Sequence, residues 1–278
     1  MKNKLLKLVL LVSVALSIAG CNQQNEPTPF VYEGKENLKQ KISQDEIDCN
    51  SGQLKKCKAL AFTYLTGNEV HKNNKKAIEL FSKVCDSGDN NSCLLMAITL
   101  DDIKKYDKSI PVYKKLCKKG EFKACNKLAL KYKYGKAGLS KNVSKAMQLF
   151  KKSCDGGFDT ACSNLAQNYI QGAIIKKDVT KGVKILSQSC NKNGAKSCHN
   201  LAYMYMGGYG IDKDNSKVLK LLSKACNLKM YNSCNDLAIA YHQGTVVSKD
   251  DKKARQLLKK SCDGGFQMAC KNLAFSQK

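Results

Sequence analysis

Tryptophan is absent from this chain of 278 residues, proline and histidine occur three times each, and Arg255 is the single arginine among 48 basic side chains. Each scarcity closes a class of function. His71, His199 and His242 lie far apart and no C-x-x-C pair exists, so a zinc site lacks ligands and no metal or other cofactor is expected. A lone arginine argues against guanidinium readout of bases and phosphates, so nucleic acid is not an expected partner. The longest apolar run, Leu8 to Ile18, is too short to span a bilayer as a mature helix, which excludes a multi-pass membrane protein. Acidic residues number 23, leaving a formal charge of +25. At 43% hydrophobic and 26% charged residues the composition is that of a folded chain.

The first twenty residues read as an address. Lys2, Lys4 and Lys7 precede the apolar run, and small residues follow it, as in a secretory signal. Leu16-Ser17-Ile18-Ala19-Gly20-Cys21 resembles a bacterial lipobox, which implies that residues 1–20 are removed and Cys21 is lipidated; a plain secretory signal followed by a spare cysteine is the alternative. Residues 21–34, with Pro27 and Pro29 and little to bury, read as a tether. Asn22 after the lipid cysteine favours the outer membrane by the enteric sorting rule. The expected location is therefore a cell-envelope lipoprotein of the outer membrane, facing the periplasm or the surface, with release to the exterior as the alternative.

The remaining cysteines fall into seven pairs with seven residues between partners: Cys49 and Cys57, Cys85 and Cys93, Cys117 and Cys125, Cys154 and Cys162, Cys190 and Cys198, Cys226 and Cys234, Cys262 and Cys270. The pairs recur about every 36 residues, marking an array of repeats. After the second cysteine come apolar residues three, four and seven positions on, such as Leu165, Ala166 and Tyr169, at helical spacing. Glycine stands ten positions on, at Gly67, Gly135, Gly172, Gly208 and Gly244, where a helix end favours a left-handed residue. A polar loop and a second helix, such as Lys145 to Phe150, lead to the next cysteine. Another glycine, or Asn193, stands three residues past it; Lys229 departs from the pattern. The unit from Cys93 is four residues short and places Pro111 where its second helix should open.

Two helices of about three turns cannot bury their apolar faces alone, so stacked copies predict an all-α solenoid. Residues 35–56 read as an N-terminal helical cap, and 57–278 as six two-helix repeats with a final half repeat. Export implies oxidation. Each cysteine ending a second helix lies near the first helices on both sides, but only pairing across the seven-residue turn leaves no cysteine over. Local pairing is therefore expected, each bond adding roughly 2 to 3 kcal/mol in the chain-entropy account.

The pattern Asn-Leu-Ala-x-x-Tyr, Gly, Lys-Ala, Leu-Phe/Leu, Cys-Asp-Gly-Gly resembles the Sel-one-like repeat, a relative of the tetratricopeptide repeat. With a cysteine pair in each unit the chain is similar to the Helicobacter cysteine-rich protein family over residues 49–278. That resemblance implies a right-handed superhelix of α/α hairpins. It also implies binding or slow hydrolysis of β-lactams, since family members are commonly described as β-lactamases, or a role as a secreted interaction scaffold. A lipid anchor departs from the freely secreted form. Hydrolysis finds little support in the residues: one Ser-x-x-Lys match, Ser189 to Lys192, is expected by chance in so lysine-rich a chain and straddles Cys190 at a helix end.

Binding is the other reading. Positions two, five, six and nine after the cysteine fall opposite the packing face of the first helix, the side that lines the concave groove in tetratricopeptide-like solenoids. They give Lys127, Lys131 and Tyr134; Asn164, Gln167, Asn168 and Gln171; Asn200, Tyr203 and Met204; Asp236 and Gln243. This amide-rich floor suits an extended peptide or a glycan. Alternatively, asparagine at position two tethers a neighbouring helix. The column Tyr64, Tyr132, Tyr169, Tyr205 and Tyr241 lies on the packing face and reads as structural. The lysines read as a solvated surface or as a field steering anionic partners. The expected protein is a monomeric lipid-anchored scaffold that binds a peptide or protein segment and meets the membrane only through its anchor. A β-lactam or peptidoglycan-like ligand is the alternative.

Overall fold

The computed structural model describes residues 32–68 and 70–275. The signal segment, Cys21 and the tether as far as residue 31 lie outside them. Fourteen helices follow one another: α1 (Tyr32–Asn50), α2 (Leu54–Thr66), α3 (Asn74–Asp86), α4 (Asn90–Asp102), α5 (Tyr106–Lys118), α6 (Phe122–Tyr134), α7 (Val143–Asp155), α8 (Asp159–Gln171), α9 (Val179–Asn191), α10 (Ala195–Gly207), α11 (Asn215–Asn227), α12 (Tyr231–Gln243), α13 (Asp251–Asp263) and α14 (Gln267–Phe275). Among the described residues every regular element is helical. Helix α1 opens at Tyr32, inside the stretch read as tether. The compact unit Asp45–Lys278 holds the array. In it α2 to α13 form six pairs, each of a first helix and a second helix, and α14 is one more first helix.

The two kinds of helix are buried differently, which sets the architecture. A second helix shows a narrow apolar stripe: α7 buries Ala146, Phe150 and Ser153. Its eighth residue enters the core in every pair, as Phe81, Tyr113, Phe150, Leu186, Leu222 and Leu258. Burying a side chain of this size contributes roughly 1.5–3 kcal/mol. A first helix is covered over a much wider arc, as in α8, which buries Ala161, Cys162, Ser163, Leu165, Ala166 and Asn168. The first helices thus form the inner layer. Their alanines, Ala61, Ala97, Ala129, Ala166, Ala202 and Ala238, are all but fully buried and let neighbouring backbones approach. At Gly182 of α9 a Cβ would meet Ile170 Cγ1 at 2.5 Å and Ala166 O at 2.9 Å, so only glycine lets α9 lie this close to α8.

The turn within a pair repeats one design. The loop Asx residue, Asn73, Asn142, Asp178, Asp214 or Asp250, accepts at its side chain from the backbone N–H three residues on. This is an N-cap. Its own N–H donates to the carbonyl of Tyr64, Tyr132, Tyr169, Tyr205 or Tyr241. The lysine whose N–H fills the cap lays its ammonium over the same tyrosine ring, 4.4–4.7 Å from the centroid.

The turn between pairs carries the disulfides. Cys49–Cys57, Cys85–Cys93, Cys117–Cys125, Cys154–Cys162, Cys190–Cys198, Cys226–Cys234 and Cys262–Cys270 are bonded, with Cα–Cα separations of 4.5–4.7 Å. Bridges in such number place the folded unit in an oxidising, extracytoplasmic compartment. No described helix is long and apolar enough to cross a membrane.

The short pair corrects the reading of Pro111. Because its loop has shrunk to a few residues, α5 begins at Tyr106 and Pro111 sits inside the helix, beyond the first turn. Proline there removes a donor to the carbonyl four residues back. Asp101 holds this pair together instead, accepting from Ser109 Oγ at 2.5 Å and Tyr113 OH at 3.0 Å and pairing with Lys131 of α6 at 2.7 Å.

Candidate binding face of the first helices

The packing between repeats distinguishes the two layers. Consecutive first helices α6 and α8, α8 and α10, and α12 and α14 approach one another, and no two second helices come together to the same degree. The first helices are thus the more closely packed layer, and their free side is the candidate binding face.

Helix geometry then sorts the twelve residues read as that surface. Lys127, Tyr134, Gln167, Gln171, Tyr203 and Gln243 are exposed. Asn168 is not: it is 2% exposed, and its amide donates to Asn164 O at 2.8 Å. Met204, at the same position of α10, is also buried, and Lys131 of α6 is committed to Asp101. Position six therefore belongs to the core, because a first helix is covered by neighbours on both sides and its free arc narrows to positions two, five and nine.

Position two mostly tethers. Asn164 Nδ2 donates to Asn126 Oδ1 at 2.9 Å between α8 and α6, and Asn272 Nδ2 to Asn235 Oδ1 at 2.9 Å between α14 and α12. Asp236 accepts from Tyr203 OH at 3.1 Å, linking α12 to α10. Asn200 is half-buried. The His199 ring lies against Tyr203, centroids 4.8 Å apart, with Nδ1 2.8 Å from Ser233 Oγ and 3.7 Å from Asp236. Burial, and secondarily the charge of Lys196, hold His199 below the usual histidine value, while Asp236 pulls the other way. Burial first and then Asp236 push the Tyr203 phenol up to about 12.

Position five carries a feature missing from the amide-rich reading. Phe62, Ile98, Leu130, Gln167, Tyr203 and Ile239 succeed one another there, and Phe62, Tyr203 and Ile239 keep 39%, 42% and 37% of their surface exposed. The signal was present in the sequence as apolar residues at a position opposite the packing face. The free face is therefore mixed: an aromatic and aliphatic row flanked by amides, Lys127 and Tyr134. Such a surface offers pockets for side chains and donors and acceptors for a backbone.

The Ser189–Lys192 pair does structural work. Ser189 Oγ is buried and donates to Asp159 Oδ1 at 2.8 Å, and Lys192 is the residue that closes α9. Among the described residues no group of three or more His, Cys, Asp or Glu side chains is placed to hold a metal ion.

Comparison with known proteins bears on the fold. A sequence profile of the Sel1 repeat matches residues 57–89, 122–158, 160–194, 195–230 and 232–266, passing over the short pair. Among solved structures, a Sel1 repeat protein from Oxalobacter formigenes is 20% identical over 80% of this chain and 99% of its own, with a TM-score of 0.60. The uropathogenic Escherichia coli protective antigen c5321, with an SLR fold, is 21% identical over 84% of this chain, with a TM-score of 0.57; the match spans about half, 51%, of that protein. Cysteine-rich protein B of Helicobacter pylori is 29% identical over 48% of this chain and 96% of its own, at a TM-score of 0.42. None of the curated proteins matches. With more than half of its residues in five matched repeats and an all-helical array between them, the chain belongs to the Sel1 repeat family.

Proposed function

We propose that this protein is an extracytoplasmic interaction scaffold, anchored by lipid at Cys21, whose concave face binds an extended segment of a partner protein. Sel1 repeats build scaffolds for protein contact, which supports the general reading. The single observation that carries the finer one is the row at position five, where Phe62, Tyr203 and Ile239 remain exposed on a face otherwise rich in amides. An exposed apolar row rimmed by polar groups is what an interaction surface needs and a solvated surface does not. The excess of lysine favours partners carrying acidic residues.

A photocrosslinking residue at Gln167 tests the face in living cells. Discrete adducts are expected there and none at Lys184, on an exposed side of a second helix; equal labelling at both sites would refute the assignment. The anchor is tested separately by incorporation of an alkyne fatty acid, which Cys21→Ala should abolish.

A further inference from the structure

A cavity of roughly 720 Å3 lies on the other layer of the array, between second helices α7 and α9 and floored by α8. It exists because one plug is missing. At the junction before it, Phe122, the first residue of α6, lies so close to Gly156 that a Cβ there would collide with its ring. Tyr231, the first residue of α12, lies against Gly264 in the same way. In the intervening pair α10 opens on Ala195, and Leu228, which closes α11, packs into the core around Cys190 and Cys198. In α8 the first residue is the polar Asp159, which bonds Ser189 and Ser197 at the cavity's edge, and the residue closing α9 is Lys192. Neither side supplies an apolar plug.

The opened space has a definite chemistry. Met147, Leu165 and Ile185 line its middle, with Tyr169 and Ile175 towards one end. That end also carries Lys176 and Lys181, the latter with its ammonium 4.4 Å from the Tyr169 ring centroid. At the opposite end the Cys154–Cys162 bridge meets Asp155, paired with Lys151 at 2.6 Å, and Asp159, already satisfied by its hydrogen bonds. The cleft follows α9 from Lys181 to Lys192, about 16 Å at 1.5 Å per residue.

We infer that this cavity binds a small amphipathic anion, an acyl or aryl chain bearing one carboxylate or phosphate. The head group meets Lys176 and Lys181, beside which the cavity wall carries no carboxylate, Asp178 acting on Lys181 from outside the wall, and the chain lies along Met147, Leu165 and Ile185 towards the disulfide. The volume falls in the ordinary range for small-molecule sites, whose walls are mostly apolar with a few placed polar groups. This site is independent of the concave face.

Calorimetric titration of the full mature chain, with probes kept monomeric, tests the inference. Dodecanoate and dodecyl phosphate should bind, and dodecyltrimethylammonium and dodecanol at least tenfold more weakly. Lys176→Glu with Lys181→Glu should weaken the anions tenfold or more. Asp159→Phe restores the plug and should abolish binding. Because Asp159 also bonds the start of α10, Ile185→Trp provides a second plug that leaves those bonds in place. Equal affinity for the cation, or anion binding unchanged in Ile185→Trp, would overturn the inference. So would association only with phosphatidylglycerol vesicles that survives Ile185→Trp, which would assign the effect to surface charge.

Discussion

Asp159, the first residue of α8, caps the next first helix at the place where Gly194 has no side chain to do so. Its carboxylate accepts from the backbone N–H groups of Lys196, at 2.7 Å, and Ser197, at 3.2 Å, and from the Ser197 hydroxyl. Gly194, the N-cap residue of α10, makes no side-chain cap bond. A Cβ at Gly194 would collide with Asp159 Oδ1 and Ser189 Oγ, so the two positions are complementary. A cap delivered across a repeat junction couples the start of one helix to the start of the one before it.

Asp159→Ala should therefore cost about 2 kcal/mol, the worth of a cap and the loss of partners for two hydroxyls. Gly194→Ala should cost about 1–3 kcal/mol through overpacking. Because both act on one network, the double variant should lose less than the sum of the singles. Urea denaturation of the four proteins checks this.

Lys229 is a non-glycine residue with φ +65°, in a turn where most other pairs place glycine. A left-handed residue with a Cβ costs roughly 1–2 kcal/mol, against about 0.5–1 kcal/mol for the greater freedom of glycine in the unfolded chain. Lys229→Gly should stabilise by about 0.5–1 kcal/mol, read as a higher denaturation midpoint at an unchanged slope. Asn193→Gly should gain less, because asparagine tolerates this region.

Replacing one bonded pair, as in Cys226→Ser with Cys234→Ser, should cost about 2–3 kcal/mol, since the bond closes a short loop. Peptide mapping of the unreduced protein should recover seven local bridges. A bridge between Cys57 and Cys85 would contradict the structure.

Acid should weaken the junction of α10 and α12. Burial keeps His199 below its ordinary value of 6.5, so the unfolded chain takes up a proton at a pH where the folded one resists it. This contribution is present above pH 6.5 and is lost as pH falls through that value towards the folded one. Between pH 7.5 and 5.5 the urea midpoint should fall, and His199→Gln should reduce the drop. An identical drop in the variant would assign it to other groups.

The sequence spoke most clearly where one physical requirement recurs in each unit. Leu165, Ala166 and Tyr169 could be read as a packing face because all three follow helical spacing, and Gly172 as a helix end because its φ is +66°. Asn168 misled because wheel geometry assumes one covered side, whereas α8 is covered on two. Phe62 and Ile239 are hard to read from the chain because an apolar residue on the outward arc of one helix carries no sign of the row that stacking makes of it. The choice between groove and tether for Asn164 turned on a partner, Asn126, one repeat away in sequence and beside it only after stacking. The cavity over α8 was hidden for a related reason: it arises from what Asp159 displaces, which is visible only beside Phe122 and Tyr231 in their packed places.

Each cysteine of the array finds its partner eight positions along the chain, at a joint between consecutive hairpins. Duplication or excision of a whole unit therefore carries both members of a bridge with it and orphans no thiol. The array can grow or shorten in steps of one hairpin pair without passing through a form prone to mispaired crosslinks.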